Sequence, residues 1–291
     1  MREGLFLRSS NIELRLGSTT PALPPLIVLK SPSFFMRSLT AVKVLWLSLT
    51  LVLGSSLGLA ESAGDLMAKG DVFDAKYEAK DALKLYLEAE KMQPNSLSLS
   101  IRIARQYRHL MTDTKPLESK LIYGQYALVY AQRAASLGPQ DSEAQLSPAI
   151  TYGKLSPLVG AKERVAFSSL IKDSADKALK LNPQNDLAWH VLGRWHQSLA
   201  EIGGVKRTMS KLLYGSLPVT TNEESVKCFE KAIAINPNRL RHYIELGVTY
   251  AHMDRIAEAK QNIEKGLAMP NSEKDDAELK VRGREVLSKL K

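Results

Sequence analysis

The chain has 291 residues, of which 44% are hydrophobic and 24% charged, and its formal net charge is +9. Length and composition fit one helical repeat domain plus a leader and exclude a fibrous or wholly disordered chain. One cysteine, Cys228, excludes an intrachain disulfide.

The charge divides between leader and body. Residues 1–60 hold six basic and two acidic residues, so the leader carries +4 and the rest +5. An excess that mild fits anionic partners weakly, and no nucleic acid is expected. Met36-Arg-Ser-Leu-Thr-Ala-Val-Lys43 is a short positive stretch, Val44 to Leu53 is apolar, and Gly58-Leu59-Ala60 offers small residues at a cleavage site. That three-part form is a secretory signal peptide. Residues 36–60 are therefore expected to be a cleaved signal that sends the protein to a secreted or periplasmic location. A retained membrane anchor and a mitochondrial transit peptide are the alternatives. Membrane contact is expected only through residues 44–60, and only if they stay uncleaved. Residues 1–35 are expected to be a non-native or disordered extension ahead of a start at Met36.

From residue 61 to 271 one phrase returns: Ala89-Glu-Lys-Met-Gln-Pro94, Ala134-Ala-Ser-Leu-Gly-Pro139, Ala178-Leu-Lys-Leu-Asn-Pro183 and Ala232-Ile-Ala-Ile-Asn-Pro237, with a weaker Gly266-Leu-Ala-Met-Pro270. A small residue and a helix-stopping proline, repeated, mark stacked helical hairpins. Counted back from Pro94 in a 34-residue unit, Leu66, Gly70, Phe73, Ala82, Tyr86 and Ala89 fall where the tetratricopeptide pattern puts its large and small residues. Trp189, Leu192 and Gly193 open a fourth unit, and Tyr243, Leu246, Gly247 and Tyr250 a fifth. The fold class is all-α, an α-solenoid of about five tetratricopeptide-like hairpins. The proline spacings of 45, 44 and 54 residues exceed the unit. The extra length is expected between the two helices of each hairpin, over Met111 to Glu118, Ser156 to Lys162 and Ala200 to Thr221. Thr221-x-x-Glu224 reads as a capping box that starts the next helix. Residues 272–291 are expected to be a charged C-terminal capping helix with the Asp275-Asp276 pair in solvent.

The chain lacks a glycine-rich phosphate loop, HExxH and CxxC. Its five histidines show no i, i+3 or i, i+4 pair, so neither catalytic residues nor a metal site is expected, and no cofactor is implied. Cys228, beside Phe229, reads as a small buried residue. In the tetratricopeptide architecture certain positions of each first helix face a concave groove. Projected onto this sequence they give Arg105, Arg108, His109, Lys154, His190, Arg194, Gln197, Arg241 and His252, with Asp71, Asp74 and Glu143 as acidic exceptions. That wall could hold an acidic peptide through bidentate arginine contacts. The competing expectation is that each arginine is paired with a neighbouring carboxylate.

Residues 186–237 carry a more specific pattern: Leu192-Gly193-Arg194-Trp195, then Gly215-x-x-Pro218-x-x-Thr221, then Phe229-x-Lys231-Ala232 before Pro237. It resembles the regulator of microtubule dynamics family. The resemblance implies the repeat fold over about residues 62–270, tubulin as a partner, and attachment at mitochondrial or reticulum membranes. It implies no catalytic residue. The function expected from the residues is a non-catalytic scaffold, exported or membrane-attached, holding a protein or peptide in a basic groove. The function implied by the resemblance is a microtubule- or organelle-associated adaptor.

Overall fold

The computed structural model describes residues 61–203, 208 and 217–290. The expectations placed on residues 1–60 lie outside that range. Among the described residues there are eleven α-helices and one short 3-10 turn. They form five antiparallel hairpins and a final helix. The hairpins are α1 (Ala63–Ala75) with α2 (Ala79–Met92), α3 (Leu97–Asp113) with α4 (Leu117–Leu137), and α5 (Ser142–Leu155) with α6 (Ala161–Leu181). They continue with α7 (Asp186–Ala200) and α8 (Asn222–Ile235), then α9 (Leu240–His252) and α10 (Ile256–Ala268); α11 (Asp276–Leu287) closes the chain. The all-α solenoid is the observed fold.

The recurring phrase has a local cause. The repeated alanines accept the last backbone bond of their helices: Gln93 N–H donates to Ala89, Gly138 to Ala134, Asn182 to Ala178 and Asn236 to Ala232. Each donor sits just before a proline, which disfavours helix in the residue ahead of it. Two residues past that proline, Ser96, Asp141 and Asn185 each accept from the backbone N–H three residues on and start the next first helix. Ser62 and Asp65 form a full capping box at the start of α1. Thr221 accepts from Glu224 N–H as expected, but the Glu224 carboxylate goes to Lys227 instead of returning to the cap.

Helix spacing explains the small residues. Ala82, Ala89, Ala127, Ala131, Ala134, Ala175, Ala178, Ala232 and Ala259 are all fully buried where helices cross. A Cβ on Gly70 would stand 2.5 Å from the Tyr86 ring, and one on Gly193 would stand 2.8 Å from Phe229. A Cβ on Gly247 would meet the Ala259 carbonyl oxygen at 2.9 Å. Large residues fill the space between hairpins: Tyr86, Trp195, Phe229, Tyr243 and Tyr250 are buried. Trp189 is only partly buried. Its indole N–H donates to the Pro183 carbonyl, and Lys231 lies over its ring at 4.2 Å.

The added length of the second and third repeats is mostly helix, not loop. Only residues 114–116 separate α3 from α4, and both α4 and α6 run 21 residues. No glycine or proline near Met111 stops α3 before Asp113, and Pro116 caps α4 immediately afterwards. Ser156 to Leu158 forms the 3-10 turn before α6. Most of the third insert lies outside the described residues.

Candidate functional site

The first helices α1, α3, α5, α7 and α9 line one large groove, and the segment from Ser272 to Arg282 lines it too. Helix α11 packs on α9 and α10. Leu279 and Val286 lie against Leu240, Ile244 and Val248, which fixes the segment before α11 over the wall. Asp276 locks that turn by accepting from the backbone N–H groups of Ser272 and Glu273, both at 2.8 Å. Asp275 and Asp276 are thus not a solvated pair. Asp276 is fully buried, and Asp275 accepts from Lys154 Nζ at 2.8 Å and Thr112 Oγ1 at 3.2 Å. Burial pushes the Asp275 carboxyl upward, but the charge and hydrogen bond of Lys154 together with the Arg241 and His109 charges outweigh it, and the group stays below the usual carboxylate range.

From the first repeat onward, cations of the wall meet carboxylates. Arg102 holds Asp71, which also accepts from the Tyr86 hydroxyl at 2.6 Å. Arg105 bridges Asp74 at 3.1 Å and Glu143 at 3.2 Å, across three repeats. Arg239 reaches Asp186 at 3.0 Å and Glu273 at 2.8 Å; Arg241 also binds Glu273. Arg194 pairs with Glu245, and Arg282 of α11 donates to the other oxygen of that carboxylate at 2.8 Å. Lys274 crosses to Asp113 at 2.8 Å. Arg108 differs. It is 7% exposed and, among the described residues, donates only to the hydroxyls of Ser147 at 3.1 Å and Thr151 at 3.2 Å.

The remaining expected residues sit deeper or off the groove. His109 is 3.8 Å from Asp74, and burial lowers its pKa to about 4, so it is neutral near pH 7. His190 is buried and its Nδ1 meets Nδ1 of His242 across the repeats. Gln197 is buried and donates to Thr249 at 2.9 Å. Gln197 and His252 do not line the groove; His252 pairs with Glu201 at 2.8 Å. The structure therefore brings together Arg105, Arg108, His109, Lys154, His190, Arg194 and Arg241, with most of the arginines already paired.

Sequence reasoning missed Arg102, Arg239, Lys274, Arg282, Glu273 and Asp275. The signal for the last two was there: Ser272-Glu-Lys-Asp-Asp276 is an acidic run in a chain whose groove positions are basic. Among the described residues no group of three or more His, Cys, Asp or Glu is placed to hold a metal ion, and no helix is long and apolar enough to cross a membrane.

Stacked hairpins with small residues at every crossing and a helix closing the end define a tetratricopeptide solenoid. The family described as regulator of microtubule dynamics protein 1-3 matches residues 66–291, and the chain belongs to it. Regulator of microtubule dynamics protein 1 of Mus musculus is 27% identical over 230 residues, covering 78% of this chain and 74% of the relative. The Bos taurus protein of the same name is 28% identical, covering 74% and 68%. Regulator of microtubule dynamics protein 3 of Xenopus laevis is 24% identical, covering 72% of this chain and 46% of its own length. Among solved structures, a thermophilic TPR protein of Thermus thermophilus aligns with a TM-score of 0.58 at 18% identity, covering 78% of this chain and all of that one. That likeness is one of fold.

Proposed function

We propose that this chain is a non-catalytic protein-interaction adaptor that takes an acidic, extended peptide segment of a partner along its concave wall. The observation that carries the reading is the turn before α11. Glu273 is held by Arg239 and Arg241, and Asp275 by Lys154 and Thr112. The wall already seats two side-chain carboxylates at i, i+2 spacing on an irregular stretch of chain. Arginine forks suit that geometry. A partner segment of like chemistry would compete with the turn for the same cations.

The test is fluorescence anisotropy of a labelled peptide, Glu-Asp-Glu-Asp-Glu-Asp, acetylated and amidated at its ends. Asn/Gln substitution of the turn, Glu273→Gln with Asp275→Asn, should raise its affinity over wild type, and added salt should weaken it. If neither protein binds the peptide at low salt, the groove reading fails.

A second reading has its own support. The family's members carry names that refer to microtubule dynamics, and tubulin is then the partner to try. Co-sedimentation with polymerised microtubules decides it. The leader belongs with the first reading: the Met36–Ala60 pattern supports export by a cleaved signal. Mass spectrometry of the native N-terminus should find Glu61. An intact leader in a membrane fraction would favour the anchored adaptor.

A further inference from the structure

The wall contains one buried cation that the described residues do not neutralise. Arg102, Arg105, Arg194, Arg239, Arg241 and Arg282 each have a carboxylate partner. Arg108, in the middle of α3, has none among the described residues. Its guanidinium spends one nitrogen, Nη1, on two neutral hydroxyls of α5. Thr151 in turn donates to the Ser147 carbonyl at 3.0 Å, so its lone pairs are turned toward the arginine. The Nε and Nη2 donors have no partner among the described residues, and Arg108 lines the groove.

Internal rearrangement does not supply the missing charge. Glu143 and Asp275 are the carboxylates whose fields reach Arg108, and both are taken: Glu143 by Arg105, Asp275 by Lys154 and Thr112. Arginine does not shed its proton to escape burial. A buried, charged group without a counter-ion is costly, and a ligand anion offsets that cost. Next to it, Nδ1 of His109 is buried without a hydrogen bond, so a second polar atom on the same turn is unfilled. A fork of parallel N–H donors matches a carboxylate. The anions seated nearby, from Glu143, Glu273 and Asp275, are all side-chain carboxylates.

We propose that Arg108 is the anchor of a carboxylate subsite, where its guanidinium takes one Asp or Glu side chain of an acidic peptide lying beside the Glu273–Asp275 turn. The proposal rests on the groove reading above and adds the residue that reads the ligand and the group that it reads. Ser147 and Thr151 act as positioning residues, holding Nη1 so that the other donors face the groove.

The test uses the same end-blocked acidic peptide, its Gln/Asn counterpart and the full chain carrying Glu273→Gln and Asp275→Asn. Adding Arg108→Gln should weaken acidic-peptide binding by about tenfold or more, as expected for a lost charge-assisted fork. Arg108→Lys, which keeps the charge and loses the fork, should fall between. The Gln/Asn peptide should not bind. In the protein with Arg108 intact, the Arg108 Nε–Hε NMR signal should shift as the acidic peptide saturates. That measurement decides the matter if Arg108→Gln does not fold, because a signal unmoved at saturation overturns the subsite. Equal affinity for Arg108→Gln, with the peptide still captured, removes Arg108 and leaves the groove standing. Loss of all peptide binding, including by the protein with Arg108 intact, removes both.

Discussion

His190 and His242 meet Nδ1 to Nδ1 at 3.0 Å in the packed floor between the fourth and fifth repeats. Nε2 of His242 donates to Asp186 at 2.9 Å, so its Nδ1 is the acceptor and the proton between the rings belongs to His190. Arg194, Arg239 and Arg241 face the pair, and Asp186 opposes them. Burial lowers both imidazoles below their ordinary value, and His109 is lowered to about 4. An unfolded chain takes up protons near pH 6.5 that the folded chain refuses. Stability is therefore full above that value and falls as pH drops through it toward the folded-state values. A tenfold loss of proton affinity corresponds to about 1.4 kcal/mol. Urea midpoints should fall between pH 7.5 and 5, and less so in His190→Gln/His242→Gln. An equally steep fall in that variant would show that the pair is not the sensor.

The glycines at helix crossings should separate sharply from the helical Gly153, which faces open space. Gly193→Leu places a side chain against the Phe229 ring, and Gly247→Ala places a methyl against backbone atoms of α10. Overpacking of this kind costs about 1–3 kcal/mol. A Cβ on Gly153 meets nothing within 4 Å, so Gly153→Ala should stabilise α5 by about 0.5–1 kcal/mol. Thermal melts of the three variants test the repeat register; a Gly193→Leu melt equal to wild type would refute it.

Arg282→Ala should loosen α11 before anything else. Glu245 is almost fully buried and shares its carboxylate between Arg194 and Arg282. With one partner removed, Arg194 still holds the charge, and because Arg282 is itself partly exposed the loss is about 1–2 kcal/mol, not that of an orphaned ion. Hydrogen exchange should quicken in α11 and the preceding turn while α1 to α4 keep their protection.

Cys228 should be inert in the folded protein. Burial pushes its thiol up to about 11, so little thiolate exists near neutral pH, and the sulfur packs among Trp195 and its neighbours. Ellman's reagent should label it only after denaturant is added. Rapid labelling of the native chain would mean that α7 and α8 separate readily.

The repeat register was readable in the sequence because its causes are short-range. An alanine that ends a helix, a proline five residues on and a glycine under an aromatic ring are all visible within one unit. Helix length was not readable in the same way. The surplus residues of the second and third repeats carry ordinary helix formers, and nothing local distinguishes a loop from further helical turns. The groove was half readable. Arg105, Arg108 and Lys154 were found by position, but the partner of Lys154 and Thr112 was not, because Asp275 lies 121 and 163 positions away from them. Only the folded chain shows that the acidic turn near the C-terminus lies over the early repeats.

That turn also changes what kind of polymer this is. A solenoid normally behaves as a one-dimensional array in which each unit feels only its neighbours and the ends fray first. Here Lys274 donates to the Tyr77 carbonyl, 197 residues earlier, and Lys154, Thr112 and Asp113 are tied to the same short stretch. The array is a chain with a clasp. Its terminal units are loaded in parallel, so opening the clasp comes before unravelling. A force applied to the two ends would meet its first resistance at Lys274 and Asp275, not at the outermost hairpin.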